Sequence, residues 1–300
     1  MKKFLALLLL FSCFAEQAPK PLVFFVIGDW GRMGSTNQRE VALQMNEWAK
    51  KENPEFIITT GDNFYDVGVA DVNDLHWQKS FLDVYNGNAI NNKTWYATLG
   101  NHDYVTNPQA EVAYTATNQR WQMPTRYYQN VMALNDGARI RFVFTDTSPF
   151  EKSYYTSSFS AEIKKQDTLQ QKKWLDSLTA LSDVDWKIVV GHHHIYTGGI
   201  RKNDPNSVRQ SLESVFIKNN VDVYFCGHEH DLQHLKVPDR PTHYFLSGAG
   251  SDTRPTTSIA QTLFGQSVLG FMSVTVAKES LTVKVINNQG QVIYQHTIGK

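Results

Sequence analysis

Three features of this chain predict a layered α/β fold. Five apolar, β-branched runs, Leu22 to Ile27, Phe56 to Thr60, Trp95 to Leu99, Trp186 to Val190 and Val221 to Cys226, have the length and composition of buried strands. Helical spacing of apolar residues separates the first runs and recurs between the last two. Beyond Cys226 only strand patterns follow.

The first helix is marked by Val41, Met45 and Trp48, three or four residues apart, after a capping candidate at Ser35, Thr36 or Asn37 and before Pro54, which ends it. A second helical pattern, Leu75, Phe81, Leu82 and Tyr85, leads to the Trp95 run and completes a βαβαβ succession whose crossovers should be right-handed. Tyr127 to Leu134 and Arg139 to Thr145 flank Asn135-Asp136-Gly137-Ala138 and read as an antiparallel hairpin. The polar stretch Ser148 to Gln166 is long enough for a lid or a disordered loop, and a helix bearing Leu169, Trp174, Leu175 and Leu178 follows it. A helix over Ser207 to Asn219 precedes the Val221 strand. Strands at His243 to Leu246, Phe271 to Ala277, Leu281 to Ile286 and Val292 to Thr297 close the chain, the last two joined through Asn287-Asn288-Gln289-Gly290.

The 300 residues are expected to form one domain over 16–300, preceded by a signal peptide. Met1 to Ala15 holds two lysines, the apolar run Phe4 to Phe11 and a small residue at its end, the three parts of a secretory leader. Leu10-Phe11-Ser12-Cys13 loosely resembles a lipid-attachment box, so anchoring through Cys13 is the alternative to free secretion. Nothing later approaches the roughly 18 to 20 apolar residues of a membrane-spanning helix. Without Lys2 and Lys3 the basic side chains number 27 against 29 acidic ones, a formal charge of −2, which gives no footprint for nucleic acid. Cys226 then stands alone and reads as a small buried hydrophobe rather than part of a disulfide framework.

Five polar clusters follow the five strand runs, each led by glycine: Gly28-Asp29-Trp30-Gly31, Gly61-Asp62-Asn63-Phe64-Tyr65, Gly100-Asn101-His102-Asp103, Gly191-His192 and Gly227-His228-Glu229-His230. Each falls just past the carboxyl end of a strand, where open α/β sheets bind their ligands. Singly, Asp29 or Asp62 reads as a turn former and Tyr65 as a core tyrosine. Jointly, hard oxygens from Asp, Asn and Tyr beside imidazoles suit a pair of cations such as Fe, Mn or Zn.

This succession resembles that of the calcineurin-like metallophosphoesterases: D-x-[GH], G-D-x-x, G-N-H-[DE], a lone His, then G-H-x-H. Asp29-Trp30-Gly31 and the tyrosine of Gly61-Asp62-Asn63-Phe64-Tyr65 narrow the likeness to small purple acid phosphatases of the tartrate-resistant type, over essentially the whole chain from about Val23. The resemblance implies a four-layer sandwich of two mixed β-sheets flanked by helices. It implies that Asp29, Tyr65 and His230 hold Fe(III), that Asn101, His192 and His228 hold a divalent metal (Fe, Zn or Mn), and that Asp62 bridges the two. A metal-bound hydroxide would attack a phosphomonoester, His102 would act as general acid with Asp103 orienting it, and inorganic phosphate would leave. Ferric iron acidifies its water strongly, so an acid optimum is expected. A second substrate-side histidine of the family falls at Arg201 here, leaving Arg201, His193 or His194 as its replacement. Ser148 to Gln166 lies where the family carries an exposed repression loop, which predicts proteolytic nicking. The resulting expectation is an exported acid phosphatase, acting as a monomer. A metallophosphoesterase for diesters or nucleotides is the second reading, and an inactive scaffold of the same fold is the third.

Overall fold

The computed structural model describes residues 20–300, so Met1 to Ala15 and Cys13 lie outside the described residues. Among the described residues fourteen strands form two mixed sheets of seven. The first half contributes β1 (Leu22–Ile27), α1 (Thr36–Glu52), β2 (Phe56–Thr59), β3 (Thr94–Ala97), α2 (Pro108–Tyr114), β4 (Trp121–Gln122), β5 (Tyr128–Ala133) and β6 (Arg139–Phe144). The second half contributes α3 (Ser160–Ile163), α4 (Thr168–Ala180), β7 (Trp186–Val190), α5 (Ser207–Lys218), β8 (Val223–Cys226), β9 (Leu232–Lys236) and β10 (His243–Ser247). Four strands end the chain: β11 (Thr262–Gln266), β12 (Gly270–Ala277), β13 (Ser280–Asn287) and β14 (Val292–Gly299). The first sheet runs β14-β13-β12-β1-β2-β3-β4 and the second β11-β9-β10-β8-β7-β6-β5.

The strands that lead to the polar clusters are parallel within each sheet: β1 beside β2, β2 beside β3, and β7 beside β8. Parallel strands are buried on both faces, and all six residues of Leu22–Ile27 are buried. The sheets meet through their inner faces, where the Phe24 ring lies edge-on to Phe142 at 5.4 Å and to Phe225 at 6.2 Å. Outside the first sheet, α1 buries Val41, Ala42, Met45 and Ala49. Outside the second, α4 and α5 cover Val189, Tyr224 and Leu246 with Leu175, Leu212, Val215 and Phe216. The expected four-layer arrangement of two mixed sheets flanked by helices is present.

Local chemistry sets the boundaries. Ser35 is the cap of α1, accepting from the Gln38 amide, and Asn53 ends the helix in a left-handed conformation with φ 47°. Gly137, at φ +83°, makes the turn between β5 and β6. The helix expected across Leu75 to Tyr85 is instead a short π-helical stretch, Trp77–Leu82, with Leu75 exposed. Its inward residues Trp77 and Phe81 serve an aromatic cluster rather than an amphipathic helix face. Ser148 to Gln166 is not a loose loop: Ser148–Phe150 and Lys152–Thr156 form tight turns, α3 follows, and Ser148, Pro149, Phe150 and Ile163 are buried. Among the described residues no helix is long and apolar enough to cross a membrane. Cys226 is buried without a disulfide, and burial pushes its thiol well above the usual range.

Candidate metal centre

Each glycine-led cluster lies immediately beyond its strand, and the loops from β1, β2, β3, β7 and β8 converge at one end of the sandwich. Asp29, Asp62 and His228 all adopt left-handed backbone conformations, with φ of 58°, 49° and 71°. Such strain, of order 1–3 kcal/mol per residue, is held only where neighbours over-determine it. Here the Asp29 amide donates to Gly61 O at 3.0 Å, the His228 amide to Asp29 Oδ2 at 3.0 Å, and the His102 amide to Asp62 Oδ1 at 2.8 Å. The glycines are required by proximity: a Cβ on Gly100 would collide with the Asp62 amide and carboxylate, and one on Gly227 with Asp29 Oδ2.

The side chains crowd together with more acceptors than protons. The Tyr65 hydroxyl lies 2.9 Å from both Asp29 Oδ1 and Asp62 Oδ2 and 3.0 Å from His230 Nε2. A phenol has one proton to donate, so these groups cannot all be satisfied by one another. His192 Nδ1 donates to the Thr60 carbonyl at 2.9 Å, which turns Nε2 toward His228 Nδ1 at 3.1 Å and Asp62 Oδ2 at 3.4 Å. His230 Nδ1 faces Asp252 Oδ2 at 3.4 Å, turning Nε2 inward in the same way. Histidines fixed through the outer ring nitrogen are the arrangement metal sites use. Asp29, Asp62 and His192 each offer a ligand atom within 4.8 Å of the others, and so do His192, His193 and His228. Asn101 Oδ1 is buried without a hydrogen-bond partner. An orphaned amide oxygen, surplus carboxylate lone pairs and inward imidazole nitrogens fit a cationic centre.

The electrostatics agree. Burial raises the Asp62 carboxyl, but the neighbouring His192 outweighs this and holds it below the usual carboxylate range. Burial lowers His192, yet the Asp62 and Asp29 carboxylates leave it raised to about 9. The two carboxylates therefore favour positive charge at this point despite its burial. Tyr65 is pushed well above the usual phenol range by burial and then by Asp29 and Asp62.

The predicted substrate-side residues divide. His102 sits on the rim, its Nδ1 donating to the Asp66 carbonyl at 2.5 Å and its Nε2 3.9 Å from Asp62 Oδ2. Expected beside His102, Asp103 makes no hydrogen bond to its ring. It is fully buried and accepts from the amides of Gly100, Asn63 and Phe64, because three unpaired loop amides converge on it. Burial, followed by the Asp62 charge, raises Asp103 to about 7. His193 bridges Thr147 Oγ1 at 2.8 Å and Tyr154 OH at 2.9 Å, tying the Ser148 to Gln166 segment to the site. His194 has a buried, unpartnered Nδ1, and burial lowers it to about 3, so it stands neutral. His194, Arg201, Tyr154, Asp204 and His228 line a cavity of about 510 Å³.

Three neighbours escaped the sequence reading. Glu229, fully buried between the two site histidines, accepts from the amides of Ile200 and Arg201 and from Arg201 Nη1 at 3.3 Å. Arg32 lies 3.8 Å over the Tyr65 ring and reaches Asp66 at 3.3 Å. Asp252 supports His230, as above. Of these only Glu229 carried a signal, as the carboxylate inside the histidine motif.

A two-sheet α/β sandwich with this donor set defines a metallophosphoesterase, and the calcineurin-like phosphoesterase family model matches residues 22–232. The chain belongs to that family and, within it, to the purple acid phosphatases. It is 34% identical over 301 residues to purple acid phosphatase 7 of Arabidopsis thaliana, covering 95% of this chain and 88% of that protein. It is 28% identical to human tartrate-resistant acid phosphatase type 5, covering 96% of this chain and 94% of the relative. Among solved structures, the GAP50 anchor in the inner membrane complex of Plasmodium superposes with a TM-score of 0.81 at 24% identity, covering 93% of this chain and 89% of its own. A purple acid phosphatase from yellow lupin seeds gives a TM-score of 0.69 at 14% identity, over 94% of this chain and 54% of that one. At these identities both structures speak to the fold alone.

Proposed function

We propose that this protein is an exported acid phosphatase that hydrolyses phosphomonoesters at a dinuclear Fe(III)–M(II) centre, with residues 16–300 as its single domain and Met1 to Ala15 as its leader. The observation that carries the reading is the Tyr65 hydroxyl held within 3.0 Å of Asp29, Asp62 and His230, three acceptors for one proton. In this reading Asp29, Tyr65 and His230 would hold ferric iron, with the carboxylate and the phenolate as its hard anionic donors, Asn101, His192 and His228 would hold a divalent partner, and Asp62 would serve both. When bound, such a pair supplies charge neutralisation for phosphoryl oxygens and acidifies water into a nucleophile below neutral pH.

The chain's own groups do the rest. His102, fixed through Nδ1 by the Asp66 carbonyl, presents Nε2 on the rim to protonate the departing alkoxide. Arg201 donates to the phosphate while Glu229 steadies its other edge, and neutral His194, which lines the cavity, is the second substrate-side group. The cavity of about 510 Å³ accommodates the leaving group.

The test is a visible spectrum recorded beside iron and zinc analysis of the purified protein. A tyrosinate-to-iron charge-transfer band that disappears in Tyr65→Phe is expected. A colourless, fully metallated and active wild type would refute the ferric–tyrosinate assignment.

A further inference from the structure

A second group of histidines lies apart from this centre, where the edge of one sheet meets the other. His234 is on β9 and His243 on β10 of the second sheet, while His296 is on β14, the edge strand of the first. The ring centroids are 4.6 Å apart for His234 and His296, 5.2 Å for His243 and His296, and 5.2 Å for His234 and His243. One ring nitrogen of each lies within 4.8 Å of the other two. We propose that His234, His243 and His296 form a third metal site, for a zinc-class divalent cation, that pins the β14 edge of the first sheet to β9 and β10 of the second.

The donor set decides the class of ion. Three imidazoles without a carboxylate suit zinc, copper or nickel and not magnesium or calcium. Zinc–nitrogen bonds of roughly 2.0–2.1 Å place tetrahedral ligands roughly 3.3 Å apart, and His234 Nε2 already stands 2.9 Å from His243 Nδ1. Tyr294 OH lies 2.9 Å from His234 Nδ1, the outer hydrogen bond that fixes a ligating ring with its other nitrogen inward. The Phe245 ring stacks on His234 at 4.0 Å and 14° and holds its plane. A hydrogen-bonded histidine chain accounts for His234 and for Nδ1 of His243, but it gives His296 no hydrogen-bond partner among the described residues, whereas a cation uses all three rings.

The protonation states permit it. Burial lowers His234 to about 2 and His243 to about 3, and it lowers His296 as well, so all three present lone pairs at neutral pH. Lys236, the nearest cation, is turned to the carbonyls of Arg240 and Pro241. His243 and His296 are only partly buried, which leaves a route for the ion.

The site is independent of the phosphatase reading and is tested on the holoenzyme with zinc chloride as the probe. Calorimetric titration should show one further zinc per chain, accompanied by a rise of several degrees in the melting temperature. His296→Gln and His243→Gln should each abolish that uptake and that rise while leaving the holoenzyme's melting temperature without added zinc and its phosphomonoester turnover unchanged. The proposal is overturned if wild-type holoenzyme takes up no further zinc, or if both variants still do.

Discussion

His102 Nε2 stands 3.9 Å from Asp62 Oδ2 while its Nδ1 is spent on the Asp66 carbonyl, so only one ring nitrogen faces the substrate side. A general acid matters in proportion to the basicity of the leaving group. His102→Asn is expected to slow hydrolysis of alkyl phosphates by about 10²- to 10⁴-fold, and of nitrophenyl phosphate far less. Equal losses on both substrates would assign His102 to binding or scaffolding.

Arg201 shares its guanidinium between Glu229 and the cavity and is about one-third exposed, with a side-chain accessibility of 32%. A donor that meets phosphate in the ground state as well as the transition state acts mainly on KM. Arg201→Ala should raise KM and the inhibition constant of inorganic phosphate about tenfold, worth about 1.4 kcal/mol, with Arg201→Lys recovering only part because the planar fork is lost. A pure kcat defect would contradict this role.

Gly100 has no room for a methyl group beside the Asp62 amide and carboxylate. Gly100→Ala should shift Asp62 and reduce turnover about 100-fold, the scale of a misplacement near 1 Å. Circular dichroism should be unchanged while metal content falls. Retained metal content with full activity would show that the loops yield.

Asp146 is buried beyond β6, where it accepts from Tyr104 OH, and desolvation raises its carboxyl to about 6 from an ordinary 3.8. A raised folded-state value means the native protein binds the proton more tightly, so stability from this group is greatest below about pH 4 and declines as pH rises to about 6. Relative to Asp146→Asn, the wild type should lose about 3 kcal/mol of unfolding free energy across that window. Denaturant melts at pH 4, 5, 6 and 7 measure it, and a difference independent of pH would refute the shift.

The parts of this fold that are legible in the sequence are those whose residues answer to local rules. Leu22–Ile27 is apolar throughout because both its faces are covered, and Ser35 and Pro54 bracket α1 by chemistry close in the chain. Strand β9 went unread because Gln233 and His234 are buried through partners elsewhere: Gln233 bonds Asp231 and Thr197, and His234 meets Tyr294. β4 has only two residues, too few for any period. The motif loops were legible as a set because their spacing beyond strands carries the chemistry. The partners of Asp103 were not legible because the amides of Asn63 and Phe64 lie about 40 positions away. Arg32 and Asp252 stand outside any motif, and only folding brings them to Tyr65 and His230.

Trp30 is fully buried under the loops, with Phe64, Tyr85 and Trp95 around it at 5.3–5.4 Å and its indole donating to Thr59 Oγ1 at 2.8 Å. That hydroxyl in turn donates to Asn63, next to Asp62. Shifting this side by even an ångström means repacking interlocked indoles, so the wall beneath Asp29 and Asp62 behaves as an anvil. Adaptation to ligands of different shape must then fall to the opposite bank, where exposed lining residues such as Lys152 and Asp204 can change without disturbing the stone.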